Sequence, residues 1–306
     1  MARILLTREL PFPAIDRLTE AGHELTVWPE RLPPPPERLR ELVAGAEGLL
    51  SLLTDRVDEA LLDAAPKLRA VSNLAVGTDN VDLEAAAARS IAVGNTPDVL
   101  TDATADLAFA LLLASARRLP QAAAAIPAGE WITWEPAAWL GTEVTGSTLG
   151  IVGPGRIGQT VARRAQGFGM TVLDSKGVSM RELLERSDFV SLHCPLTPET
   201  HHLIDAPALA YMRETAHLIN TARGPIVDQD ALARALQEGA IAGAALDVTD
   251  PEPLPADHPL LEAPNLLVDP HIGSATHRTR ERMAAIAVDN LLAGLAGEPM
   301  PHAANG

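Results

Sequence analysis

The chain has 306 residues but a single cysteine, Cys194, so no intrachain disulfide can form and a reducing compartment is expected. Its longest apolar run, around residues 108–116, falls far short of the roughly 20 residues that a membrane-spanning helix needs. No charged-then-apolar leader opens it. These absences lead us to expect a soluble cytoplasmic protein with no membrane partner. Positive charge is also scarce. A formal net charge of −16 repels phosphate backbones, so nucleic acid is not an expected partner. Lysine is scarcer still: Lys67 and Lys176 are the only two, set against 22 arginines. The skew reads as genomic, but it makes each lysine conspicuous. No His/Asp/Glu cluster has metal-ligand spacing, so no metal is expected. There is no internal repeat and no low-complexity tail.

What remains is a globular composition, 47% apolar and 21% charged. The length exceeds what one core usually organises, which predicts two domains. Strand-like runs at 3–7, 25–27, 48–53 and 68–72 alternate with helical patterns at 14–21, 37–44 and 59–64. Pro33 to Pro36 form a stiff loop that continues neither element. At 102–118 the rhythm changes to a long Ala/Leu-rich helix, with Asp98 or Thr101 as its N-cap. A loop rich in Trp, Pro and Gly follows at 127–146. A second alternation then begins, with strands at 148–152, 171–173, 189–193, 217–220, 243–247 and 266–268. Helices at 157–166, 181–186, 206–212 and 230–238 separate most of them, and a last helix spans 278–295.

Strands alternating with helices imply βαβ units and parallel sheets. The fold class is therefore α/β, with two doubly wound, Rossmann-like domains. The second is inserted into the first. Residues 1–98 with 275–306 form the expected substrate domain, and 99–274 the expected dinucleotide-binding domain. Crossings near 97–101 and 272–277 would act as hinges, with the chemistry in a cleft between the domains.

The most informative turn follows the apolar run Leu149, Gly150, Ile151, Val152. It reads Gly153-Pro154-Gly155-Arg156-Ile157-Gly158 and runs into an amphipathic helix. In such a turn Gly153 permits the tight bend, Gly155 lets backbone approach a pyrophosphate, and Gly158 lets helix and strand pack closely. N–H groups at Arg156 and Ile157, with the helix dipole, favour the anion, and Arg156 can add a phosphate contact. A dinucleotide cofactor is the expectation. At the end of the next strand, an acid holds the diol of NAD and a cation accepts the 2′-phosphate of NADP. Here Asp174, Ser175 and Lys176 compete for that role. Both NAD and NADP stay open, with the balance slightly toward NADP.

Several motifs in order now resemble the D-isomer-specific 2-hydroxyacid dehydrogenases, most closely their glyoxylate and hydroxypyruvate reductases. They are NLAVGTDNVD at 73–82, NTPDVLTDATAD at 95–106, GIVGPGRIG at 150–158, NTARG at 220–224, LDVTDPEP at 246–253 and DPHIGSA at 269–275. The resemblance implies NAD(P)H-dependent reduction of a small 2-keto acid to its D-2-hydroxy acid. One departure stands out: the segment from Asp174 to Met180 is shorter than the family's usual stretch beside the adenosine ribose.

The residue chemistry fits that reaction. Arg223 offers a permanently charged fork for a carboxylate and can polarise a carbonyl. His271 can give and take a proton near neutral pH, as acid in reduction and base in oxidation. A carboxylate at Glu252, between Pro251 and Pro253, can orient an imidazole, and the resemblance implies that pairing. Backbone N–H groups at Val76 and Gly77 can bind the substrate carboxylate, with Leu53 shaping the pocket wall. By resemblance, Thr104 lies near the cofactor and Asp247 near the nicotinamide amide. Cys194, Pro195, Thr221, Ala222 and Gly273 are expected along the cofactor path, with Cys194 as packing. Trp131, Trp134 and Trp139 on an irregular loop suggest an interface, and similar enzymes dimerise there, which predicts a homodimer. Two alternatives stay open. One is the same fold acting on D-lactate or D-3-phosphoglycerate; the other is a non-catalytic dinucleotide sensor.

Overall fold

The computed structural model of the chain describes residues 1–305. The chain divides into two compact units: Met1–Leu100 with the C-terminal segment from Ala275, and Thr101–Ser274. In the first unit, β1 (Arg3–Leu6), α1 (Asp16–Glu20), β2 (Glu24–Val27), α2 (Pro36–Val43) and β3 (Gly48–Ser51) come first. Then follow α3 (Glu59–Asp63), β4 (Ala70–Asn73), α4 (Leu83–Ala88) and β5 (Ala92–Gly94). The second unit opens with α5 (Thr101–Ala116), α6 (Leu119–Ala125), β6 (Thr148–Val152), α7 (Arg156–Gln166), β7 (Thr171–Asp174) and α8 (Met180–Arg186). It continues through β8 (Phe189–Leu192), α9 (Ala206–Tyr211), β9 (His217–Asn220), α10 (Gln229–Gln237), β10 (Gly243–Leu246) and β11 (Leu266–Val268). The long α11 (His277–Ala296) returns to the first unit.

Both sheets are wholly parallel, and both are buried on their two faces, which explains the near-continuous apolar runs of their central strands. The first has the order β2-β1-β3-β4-β5. Leu5, Leu49, Val71 and Val93 pack on one face under Leu39, Val43 and Leu61. On the other face Ile4, Leu6, Leu50 and Ala70 pack under Met283, Ala287, Val288, Leu291 and Leu295 of α11. The terminal helix thus completes the N-terminal sheet. Asp58 and Asp82 cap α3 and α4 by accepting the N–H groups of Leu61 and Ala85.

The second sheet has the order β11-β10-β9-β8-β6-β7. Strand order reverses between β6 and β8, and the carboxyl ends there mark the topological switch point. The common doubly wound order places a further strand outside the second one. Among the described residues that strand is absent: β7 is the edge, and a short turn joins it directly to α8.

Most elements lie where the sequence pattern puts them, to within a residue or two. Three differences have physical reasons. The pattern does not reveal α4 and β5, because Leu83–Ala88 is largely alanine and Ala92–Gly94 is too short to show a period. They form through the Asp82 cap and through pairing of β5 with β4. The helical pattern at 14–21 begins as a 3-10 turn at Pro13–Ile15. The long helix starts at Thr101, one residue before the pattern places it, so Thr101 is its first residue. No helix among the described residues is long and apolar enough to cross a membrane.

His217 opens β9 at the sheet end opposite the glycine turn. Its ring is 3% exposed and stacks on Phe189 with centroids 5.3 Å apart. Nδ1 meets the Ser115 hydroxyl at 2.8 Å and Nε2 the Thr142 hydroxyl at 3.0 Å. Neutral imidazole, one donor and one acceptor, satisfies both hydroxyls. Burial pushes its pKa down to about 4. Between that value and the ordinary 6.5 the unfolded chain binds the proton and the folded one does not. Stability is therefore present above pH 6.5 and lost as pH falls toward 4, by about 3 kcal/mol for this ring. Urea midpoints measured from pH 7 to 4 should fall in the native protein, and a His217→Leu variant should start lower and fall less. Equal slopes for the two would refute the buried neutral ring.

Candidate active site

The glycine turn is built as its spacing requires. Gly153 has φ +86°, and a Cβ there would stand 2.5 Å from the backbone N of Cys194. On Gly158 a Cβ would stand 2.5 Å from the Gly153 carbonyl oxygen, so α7 packs directly on the turn. Gly155 differs: a Cβ there meets nothing within 4 Å. No contact within the chain demands glycine at this position, which fits a ligand's backbone approach from outside. Gly155 is the N-cap of α7 and offers no side-chain cap, leaving the helix N-terminus to an anion. Arg156 opens α7, and the Ile157 side chain packs inward on the core. Beyond the switch point, the Thr221 hydroxyl is buried and has no hydrogen-bond partner among the described residues. A pyrophosphate-bearing dinucleotide fits these donors and this cradle.

Across the turn lies β7. Ser175 Oγ accepts the Gly153 N–H at 3.2 Å, and Asp174 Oδ1 accepts the N–H groups of Lys176 and Gly177, each at 2.9 Å. Asp174 thus shapes the turn that carries the exposed Lys176. Cys194 and Pro195 leave β8 beside Gly153. Burial pushes the Cys194 thiol up, and the side chain packs against the core. His193, just before it, bonds the Ser191 hydroxyl at 2.8 Å, and burial pushes its pKa down to about 4.

Arg223, Glu252 and His271 follow β9, β10 and β11, three neighbouring strands, all at their carboxyl ends. Asn220, fully buried, organises the first loop. Its Oδ1 accepts the Ala222 N–H at 3.0 Å and its Nδ2 donates to the Arg223 carbonyl at 2.8 Å. Arg223 Nη1 donates to the Ala222 carbonyl at 2.8 Å. The next residue, Gly224, lies so close to the Thr249 carbonyl that a Cβ would be 2.0 Å from its oxygen. That contact sets the arginine loop against the loop of Glu252. Glu252 Oε1 accepts the Thr249 N–H at 3.0 Å, and Oε2 meets His271 Nδ1 at 2.9 Å. Both side chains are partly exposed, 32% and 26%. With Nδ1 turned to a carboxylate, Nε2 is the ring atom left for a proton exchange.

His271 itself has φ +55°, left-handed for a residue with a Cβ. Asp247 holds it there. The Asp247 carbonyl accepts the His271 N–H at 2.9 Å, while Oδ1 and Oδ2 accept those of Ile272 and Gly273 at 2.6 and 2.8 Å. Burial pushes this carboxyl above its usual range; the Ile272 N–H, the charge of His271 and the Gly273 N–H pull it back. The Thr104 hydroxyl donates to the Gly273 carbonyl at 3.1 Å. Asp247 and Thr104 therefore support the histidine loop, a role that residue type and spacing alone do not reveal.

In the first unit, Val76 and Gly77 form the turn after β4. Its carbonyls are engaged: Ala75 O accepts the Thr96 N–H, Val76 O the Asn95 amide, and Gly77 O the Asn73 amide. Among the described residues no acceptor meets the N–H of Val76 or Gly77. Leu53 lies just past β3, in the loop that ends at Asp55. Among the described residues no group of three or more His, Cys, Asp or Glu could hold a metal ion. In the second unit, α6 and the loop after it leave the sheet and return at Thr142, whose N–H donates to the Ala116 carbonyl at 2.8 Å. This excursion exposes Trp131 (66%), Ile132 (87%), Trp134 (79%) and Leu140 (67%).

The family model for the D-isomer specific 2-hydroxyacid dehydrogenase NAD binding domain matches residues 109–273. The glyoxylate reductase of Korarchaeum cryptofilum is 48% identical, with 99% of this chain and 96% of that protein covered. The alignment runs over 318 positions against the 306 residues here, so that relative carries residues this chain lacks. The crystal structure of a Thermus thermophilus protein is 50% identical and superposes with a TM-score of 0.93, covering 99% of both chains. The NADPH-dependent glyoxylate/hydroxypyruvate reductase of Sinorhizobium meliloti, in complex with NADP and malonate, is 34% identical with a TM-score of 0.85, covering 99% of this chain and 96% of that one. With a glycine turn at the switch point and a histidine–glutamate pair on the neighbouring strand ends, the chain belongs to the D-isomer specific 2-hydroxyacid dehydrogenase family.

Proposed function

We propose that this enzyme reduces glyoxylate or hydroxypyruvate to the corresponding 2-hydroxy acid with a nicotinamide dinucleotide as donor. The observation that carries the reading is the 2.9 Å contact between His271 Nδ1 and Glu252, on a loop held in place by Asp247. The name shared by the reductases above supplies the substrate class. The nicotinamide, when bound, supplies the hydride to the carbonyl carbon. The rest falls to side chains. Arg223 polarises the substrate carbonyl and draws its carboxylate. His271, protonated, gives the Nε2 proton to the carbonyl oxygen as the hydride arrives, while its Nδ1–H stays on Glu252. The product is a neutral hydroxyl and the ring is left neutral, so charge balances. Oxidation runs the same steps backward. In the first unit, we assign the substrate carboxylate to the N–H groups of Val76 and Gly77, with Leu53 beside it as apolar wall. Gly153, Gly155, Arg156, Ile157 and Gly158 hold the pyrophosphate, and Thr221, Ala222, Cys194 and Pro195 line the dinucleotide's path.

Replacing the proton donor should cost on the order of 10²–10⁴ in kcat. His271→Ala is therefore expected to lose that much glyoxylate reduction while binding cofactor normally by fluorescence titration. Retained turnover would remove the enzyme reading. Glu252→Gln replaces the carboxylate that His271 Nδ1 meets at 2.9 Å with a neutral amide. Glyoxylate reduction should fall in kcat on the order of 10² while cofactor binding stays close to native. An unchanged kcat would show that Glu252 does not govern the ring.

For the adenosine end we favour NADPH. The Asp174 carboxylate is partly neutralised by the N–H groups of Lys176 and Gly177, which weakens its repulsion of a phosphate, and Lys176 stands exposed beside it. Lys176→Asp should lower the NADPH/NADH ratio of kcat/KM, and of binding constants, on the order of tenfold. A ratio that stays put would take Lys176 out of the phosphate site.

We also assign the enzyme a homodimeric state through the Trp-rich excursion, because one segment exposes Trp131, Ile132, Trp134 and Leu140, and large exposed apolar groups mark interaction sites. Light scattering should find a dimer for the native chain and a monomer for Trp131→Glu/Trp134→Glu, with unchanged circular dichroism. A native monomer would dismiss the assignment.

A further inference from the structure

Two side-chain amides tie together the loops that carry Leu53 and the Val76–Gly77 pair. Asn73, fully buried at the end of β4, donates from Nδ2 to the Gly77 carbonyl at 3.1 Å and to Asn80 Oδ1 at 3.0 Å. Its own Oδ1 accepts the Ser51 hydroxyl at 3.2 Å. Asn80 Nδ2 then donates to the carbonyls of Leu52 at 3.1 Å and Asp55 at 2.9 Å, the two ends of the loop around Leu53. That loop is closed from beneath. Asp55, 3% exposed, accepts the Leu52 N–H at 2.7 Å and the Thr7 hydroxyl on Oδ2.

The consequence is directional. A peptide unit points its N–H opposite to the C=O of the residue before. The Thr96 N–H holds the Ala75 carbonyl and the Asn95 amide the Val76 carbonyl, so the Val76 and Gly77 N–H groups face away from those anchors. Asn73 fixes the other side of Gly77, through its carbonyl, only while its own amide is fixed, and Asn80 fixes that amide by accepting one of its two hydrogens. With Asn80 removed, Asn73 is free to turn its amide, and the Leu53 loop loses its bond to the turn.

We infer that Asn80 is a positioning residue for the substrate carboxylate, locking the Val76–Gly77 N–H pair and the Leu53 wall into one rigid unit. The inference rests on the assignment of that turn to the carboxylate. Asn80 touches no substrate in this scheme; it acts through Asn73, Leu52 and Asp55. Its effect belongs on KM for the keto acid, not on hydride transfer or cofactor affinity.

Two measurements on the cofactor-bound enzyme separate the inference from its premise. In 15N-labelled protein, oxalate is titrated as a carboxylate probe and the Val76 and Gly77 amide resonances are followed. In parallel, Asn80→Ala is compared with Asp58→Ala, which removes the cap of α3 in the same unit without touching the turn. The expected result is that oxalate shifts both amides in the native enzyme. Asn80→Ala then raises KM for glyoxylate and the oxalate dissociation constant, each on the order of tenfold. Its kcat and cofactor binding stay close to native, and Asp58→Ala lowers the melting temperature with KM unchanged. If both amides respond but Asn80→Ala behaves like Asp58→Ala, Asn80 is structural only and the inference is overturned while the premise stands. If neither amide responds to oxalate, the premise is overturned and the inference falls with it.

Discussion

The buried carboxylate of Asp247 is the constraint on which the chemistry of the second unit depends. A residue with a Cβ does not adopt φ +55° without compensation. At His271 the compensation is three hydrogen bonds from the loop to one aspartate, one to its carbonyl and two to its carboxylate. That bend turns the imidazole toward Glu252 rather than along β11. The arrangement needs an ionised acceptor in a place where burial opposes ionisation. Two short N–H contacts at 2.6 and 2.8 Å supply what water no longer can. Thr104 closes the far end of the same loop through the Gly273 carbonyl. A helix, a strand end and a three-residue bend are thus fastened at one point.

Close backbone approach does the complementary work. Gly153, Gly158 and Gly224 each stand where a single added carbon would collide with main chain. Main chain cannot move aside as a flexible side chain can, so these positions admit no larger residue without shifting a whole loop. Gly224 matters most for geometry, because it brings the Arg223 loop against Thr249 and so fixes the spacing between the arginine and the glutamate loops. Gly155 stands apart, with open space over its Cα. Three of the four glycines answer the protein's own packing, and the fourth leaves open space at the N-terminus of α7.

How much of this is legible in the sequence follows from the range of each interaction. Strand and helix order is readable because period and apolarity are local, and the glycine turn because its spacing is local too. Arg223, Glu252 and His271 stand out through motif resemblance, and the fold sets them on three adjacent strand ends. What stays hidden depends on pairs far apart in the chain. The hydrogen bond from Thr104 to Gly273 spans 169 residues, and nothing at position 104 announces it. Asp247 looks the same in sequence whether its carboxylate serves a ligand or its own loop. The amide pair Asn73 and Asn80 sits inside a recognisable motif, yet the motif does not say which carbonyls the two amides hold.

The short connection after β7 shows how a parallel sheet can end beside the glycine turn without a further strand. Removing a strand from the middle of a parallel sheet would break two ladders and uncover two helices. Removing one outside β7 breaks a single ladder and leaves the rest of the register intact from β6 to β11. The edge strand β7 is only four residues long, short enough to offer little template for stray pairing. Its carboxyl end is sealed locally: Asp174 caps the turn and Ser175 ties it to the N–H of Gly153. The glycine turn therefore keeps its lateral support with no strand outside β7 among the described residues. If Lys176 reads the adenosine ribose as proposed, nucleotide choice rests on a tight turn of three consecutive side chains rather than on a long loop.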